Sequence, residues 1–174
     1  MQPTNLLAIL STVAAAQAYI VPTGLADGLY AVRLNETGQL HAYPVDLADL
    51  PDAAAPSATK REIRHAPSLT RRDQSGCTGH DLNHSDTDNA VAQLQQACGN
   101  GKTYPQAIWF HTVGGTIAYT CDYSGGQSCF ASEDSLANTQ ISAKCGQYRS
   151  GWWLFGSNKN YGYDVQGASI CSNL

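Results

Sequence analysis

The stretch AIWFHTVGGTIAYTCDY, residues 107–123, decides the fold. Two runs rich in β-branched and aromatic residues, Ala107 to Thr112 and Thr116 to Tyr123, meet at Gly114-Gly115. Glycines between such runs form the tight turn of an antiparallel pair, so the stretch predicts a β-hairpin. On its N-terminal side, SDTDNAVAQLQQAC (Ser85 to Cys98) places Ala90, Leu94 and Cys98 on one helical stripe, with Ser85, Asp86 and Asp88 at the electropositive start. On its C-terminal side, the segment from Ser132 to Cys145 opens with Ser132-Glu133-Asp134 and carries Leu136, Ala137 and Ile141 at helical spacing. GWWLFG and YGYDV then flank Ser157-Asn158-Lys159-Asn160 as a second hairpin, and ASIC adds a closing strand. The order helix, hairpin, helix, hairpin predicts an α+β sandwich: an antiparallel sheet with two helices on one face.

The chain has 174 residues, six cysteines and a net charge of −4. Its first eighteen residues, MQPTNLLAILSTVAAAQA, carry no charge and hold an apolar run from Leu6 to Ala16. The run is too short for a bilayer and ends in small residues, which predicts a secretory signal cleaved after Ala18. Residues 19–72 contain no cysteine or tryptophan and end in a basic stretch with pairs at Lys60-Arg61 and Arg71-Arg72. They read as a propeptide removed at a dibasic site, with one short hairpin around DGLYAVRLNETGQLHAYPV. The mature product is then residues 73–174. It holds three lysines and one arginine against eight acidic residues, which argues against a nucleic-acid partner, since phosphate binding is built from clustered cations. No other segment is long and apolar enough to span a membrane.

All six cysteines, Cys77, Cys98, Cys121, Cys129, Cys145 and Cys171, follow the dibasic pairs. In an oxidising compartment they imply three disulfides with fifteen possible connectivities. Cys121 and Cys129 enclose a turn at Ser124-Gly125-Gly126 and are favoured as one bridge. Cys98-Gly99 and Cys145-Gly146 look like helix ends with glycine caps, each able to tether its helix to a strand or to Cys77 or Cys171. No pair stands at the spacing of a zinc site, so neither a metal nor a cofactor is expected.

Twelve of the fifteen aromatic residues follow Asp73. In an alternating strand Trp152 and Trp153 point to opposite faces, so one of them with Tyr161 or Tyr163 is a candidate binding surface, suited to stacking on sugars. His80 and His84 stand four apart in GHDLNHSDTD, but Asn83-His84-Ser85 is a glycosylation sequon, as is Asn35-Glu36-Thr37, which marks an exposed loop instead of a metal site. No cysteine nucleophile survives if all six are bridged and no serine has an evident partner, so an enzyme is not expected.

The rhythm from CTGHDL through a helix to QQACGNG, then TIAYTC, AKCGQY and YGYDVQGASIC, resembles secreted cysteine-rich proteins of filamentous fungi. These include necrosis-inducing effectors, killer toxins of the small α/β-sandwich type and small glycan-binding proteins. The resemblance covers residues 73–174, with fewer cysteines than the smut killer toxins carry. It implies a secreted effector or toxin-like virulence protein that acts on a host or competitor by binding, with a glycan-binding module as the alternative. The fragment CDYSGGQSCFASEDSLA is similar to the opening of small guanyl-specific fungal ribonucleases, which implies a ribonuclease-related domain as a second alternative; Asp164 and Arg149 are the groups left to serve it.

Overall fold

The glycine turn closes as its residues require: Gly114 takes a φ of +57°, open to glycine at no steric cost, and joins Ile108–Val113 to Thr116–Asp122 as one hairpin. The computed structural model describes residues 18–49, 73–103, 106–156 and 158–172. The predicted signal, up to Gln17, and the pairs Lys60-Arg61 and Arg71-Arg72 lie outside them. In chain order the elements are β1 (Tyr19–Ile20), β2 (Gly28–Leu34), β3 (Leu40–Pro44), β4 (Gln74–Asp81), α1 (His84–Cys98), β5 (Lys102–Thr103), β6 (Ile108–Val113) and β7 (Thr116–Asp122). There follow β8 (Ser128–Cys129), α2 (Ala131–Cys145), β9 (Arg149–Phe155), β10 (Lys159–Val165) and β11 (Ser169–Ile170). Seven strands form one antiparallel sheet in the order β3-β2-β6-β7-β10-β9-β4, and both helices pack on one face of it. The protein is an α+β sandwich.

Alternation along the strands separates two layers of core. Leu29, Ala31, Trp109, Ala118 and Tyr161 meet Ala90, Leu94 and Ala97 of α1 and Ala137 of α2. Tyr30, Val32, Ile108, Phe110, Ile117 and Tyr119 lie on the other face, covered by Tyr19, Val21, Ile170 and Cys171. α1 starts where Asn83 accepts the Asp86 amide through its side chain, the arrangement that satisfies an orphan donor at a helix N-terminus. α2 begins at Ala131, one residue before Ser132, and its cap position is Phe130, with no side-chain cap. The Tyr161 hydroxyl supplies that role from the sheet: it accepts the Phe130 amide at 3.2 Å and donates to Glu133 at 2.7 Å.

The hairpin expected around residues 27–45 forms, but as part of the main sheet. β2 pairs with β6 from Gly28↔Thr112 to Val32↔Ile108, and β3 closes the edge beside it. The strands of residues 28–44 thus share one sheet with those of residues 73–172. Tyr19, Val21, Leu29, Tyr30, Ala31, Val32 and Ala42 are all buried. Full burial of a side chain such as valine contributes ~1.5–3 kcal/mol, so the segment is a substantial part of the core.

Three disulfides staple the fold: Cys77–Cys145, Cys98–Cys129 and Cys121–Cys171. The favoured Cys121–Cys129 bridge is not among them. Cys121 points to the helix-free face, where it meets the C-terminal segment, whereas Cys129 packs on the helix side against the end of α1. The two expected helix tethers are present, from α1 to β8 and from α2 to β4. No helix among the described residues is long and apolar enough to cross a membrane.

Candidate functional site

Each of the four candidate aromatic residues has a definite place. Trp152 and Trp153 point to opposite faces, as alternation requires: Trp152 packs at the edge of the helix-free layer and Trp153 beneath the helices. Tyr161 and Tyr163 are buried at 0% and 3% exposure, so neither belongs to a surface. Their hydroxyls explain this, since each ring is buried with its polar tip satisfied on α2, Tyr161 through Glu133 and Tyr163 through Ser142 at 3.1 Å. Lys159 joins the same arrangement, with its ammonium 2.5 Å from Glu133 and 2.7 Å from the Ser128 carbonyl. One of the four cations of residues 73–174 is thereby committed beneath the surface.

Trp152 is the one that reaches a cleft. Glycines make room for it: a Cβ on Gly76 would come within 2.6 Å of the indole Nε1, and one on Gly162 within 2.5 Å of the Tyr119 hydroxyl. The two rings thus lean over neighbouring strands, and a notch of about 90 Å³ opens beside them. Thr78, Tyr123, Leu154, Asn160 and the segment Ser169 to Ser172 complete its walls. The Asn160 amide donates to the Tyr123 hydroxyl at 3.3 Å. Burial, reinforced by the nearby Asp164 charge, pushes the Tyr119 phenol far above its ordinary value, so it stays a neutral hydroxyl.

Next to the notch, a polar network crosses β9. Asp164 is 1% exposed and its Oδ1 lies 2.6 Å from His80 Nδ1. Its Oδ2 accepts the Thr78 hydroxyl at 2.7 Å, and Thr78 lies 2.6 Å from the Ser150 hydroxyl, which accepts the His80 amide at 2.8 Å. The His80 side chain is 48% exposed. A buried carboxylate on Nδ1 fixes the ring and its tautomer, leaving Nε2 as the nitrogen that can take or give a proton. This is the geometry of a positioned acid–base or hydrogen-bonding group. Nothing local in the sequence joins His80 to Asp164, since GHDLNH reads as a loop; in the structure its first part belongs to β4, with a register shift between Cys77 and Asp81.

His84 lies elsewhere, stacked on Tyr148 with ring centroids 3.8 Å apart. His80 and His84 therefore serve different elements, β4 and α1. Arg149 pairs with Asp81 at the outer end of β9. Both sequon asparagines hold turns through Oδ1: Asn35 accepts the Thr37 and Gln39 amides, and Asn83 caps α1. A second groove, about 230 Å³, runs between the helices past Asp88, Gln95, Asn138, Ser142 and Tyr148.

Comparison with protein families, with curated proteins and with solved structures finds no match for this chain.

Proposed function

We propose that this is a secreted effector or toxin-like protein that acts outside its producing cell by binding a host or competitor target, and that the notch beside Trp152 takes part of a glycan. One observation carries the ligand class: a half-buried indole flanked by the hydroxyl and amide groups of Thr78, Tyr123, Asn160 and Ser169. A sugar offers an apolar ring face for stacking and hydroxyls for such a rim. The volume sets the binding mode. At about 90 Å³ the notch falls well below the ~300–1,000 Å³ of sites that engulf a small molecule, so the ligand lies across it. The processing reading belongs to the same proposal: a signal ending at Ala18, dibasic cleavage at Arg71-Arg72 and glycans on Asn35 and Asn83, whose Nδ2 atoms are left for attachment by turns that use Oδ1. Three disulfides fit an oxidising compartment.

On a glycan array, the secreted protein is expected to bind at least one oligosaccharide class. Trp152→Ala should weaken that binding about tenfold or more, while Trp153→Phe, altered under the helices, should leave it unchanged. Absence of binding on every array, or equal loss in both variants, would reject the glycan site.

The His80–Asp164 pair favours a second reading, a ribonuclease-related domain, by adding a proton-transfer group that the sequence alone left unassigned. That reading requires purified protein to cleave RNA and His80→Ala to abolish the cleavage. Cleavage untouched by His80→Ala would mark a contaminant and count against it.

A further inference from the structure

We infer that the segment before the dibasic pairs is a subunit and not a discarded leader: after cleavage within residues 50–72, the N-terminal chain beginning at Tyr19 stays bound and the working protein consists of two chains. This rests on the dibasic cleavage of the preceding proposal. Three sets of contacts hold the segment. Five residue pairs from Gly28↔Thr112 to Val32↔Ile108 join β2 to β6, so the segment supplies the neighbour that the β6 edge would otherwise lack. Tyr19, Val21, Tyr30 and Val32 lie in one apolar layer with Ile108, Phe110 and Ile117, all buried. Polar clamps fix the N-terminal part of the segment, residues 21–27. The Gln166 side chain accepts the Gly24 amide at 2.7 Å and donates to the Leu25 carbonyl at 3.1 Å, the Val21 amide donates to the Ala168 carbonyl at 3.0 Å, and Asp27 accepts the Gly114 amide at 2.8 Å.

None of these links is covalent. The six cysteines lie between Cys77 and Cys171 and pair among themselves, so once the peptide chain is cut only packing and hydrogen bonds retain the segment. Its position also separates it from an inhibitor. The sheet order puts β3 and β2 at one edge and β9 and β4 at the other, and although β1 pairs with β11 behind one wall of the Trp152 notch, the residues lining the notch all lie between Thr78 and Ser172. Cleavage therefore leaves the candidate site as open as before.

The test uses the whole chain from Tyr19 to Leu174, cut in solution by a dibasic-specific endoprotease. In parallel, a variant carrying the recognition sequence of an unrelated site-specific protease between Ser68 and Leu69 is cut by that enzyme. The expected result is two chains by mass under denaturing conditions, one 1:1 species by native mass spectrometry, and an unchanged circular dichroism spectrum. If the dibasic protease leaves the natural sequence intact while the cut variant remains a 1:1 species, the processing reading fails and the two-chain state with it, whereas retention of the segment by packing alone is upheld. A C-terminal chain, whether it starts at Asp73 or at the engineered cut, that separates from the N-terminal chain on gel filtration overturns the inference.

Discussion

Between about pH 4 and about pH 7 the protein is expected to lose on the order of 4 kcal/mol of stability through one side chain, Asp134, and Asp134→Asn is expected to abolish that slope. Asp134 lies in the first turn of α2 and is 0% exposed. Its Oδ2 accepts the Asn138 amide at 2.9 Å, but Oδ1 has no partner among the described residues. Burial disfavours the charge and raises the carboxyl from 3.8 to about 7, against the lowering effect of Gln95 and Asn138. The sign follows from the proton balance. Below the unfolded value both states are protonated and stability is full. As pH rises toward the folded value, only the unfolded state gives up its proton, so stability falls; above it the loss is constant. Denaturant midpoints at pH 4.5, 6 and 8 check this against Asp134→Asn, which keeps the shape without the charge. Parallel pH profiles for the two proteins would show that Asp134 carries no such penalty.

Phe110→Ala is expected to cost ~3–5 kcal/mol, the range for truncating a buried aromatic residue. Phe110 is 0% exposed, its ring lies stacked on Tyr30 with centroids 5.3 Å apart, and Tyr19 stands 6.4 Å away. Two of its aromatic partners thus come from the segment before the dibasic pairs, and in a cleaved protein the same substitution should speed release of that segment. Leu136→Ala serves as the comparison, since Leu136 is 50% exposed and should change stability by no more than ~0.5 kcal/mol. Urea unfolding of the two variants decides the matter. A cost for Phe110→Ala no greater than that of Leu136→Ala would mean that β6 does not hold the segment as the structure has it.

Much of the architecture is legible in local patterns. The Gly114-Gly115 turn, the second hairpin at residues 149–165 and both helices appear where β-branched runs, turn residues and helical spacing place them, within one residue at the helix starts. These features depend on neighbours a few positions away, so a sequence read in short windows contains them. Less of the candidate site is legible. Alternation correctly sends Trp152 and Trp153 to opposite faces, yet it does not say which faces water. Tyr161 and Tyr163 look like surface aromatics with polar tips until Glu133 and Ser142 of α2 are found beside them.

By itself, then, the sequence determined an antiparallel α+β sandwich, two glycine-capped helices tied down by cysteines and a break in composition at the dibasic pairs. The tertiary structure decided three further things. It paired Cys121 with Cys171 instead of Cys129, because the bridge must join side chains on the same face of the sheet. It brought His80 to Asp164 across β9, 84 residues apart in the chain, where small side chains and a register shift in β4 let a half-exposed ring reach a buried carboxylate. And it drew the segment from Tyr19 into the sheet, because a two-stranded hairpin with apolar residues on both faces is marginal alone in water and stable only against the β6 edge and the core beside it.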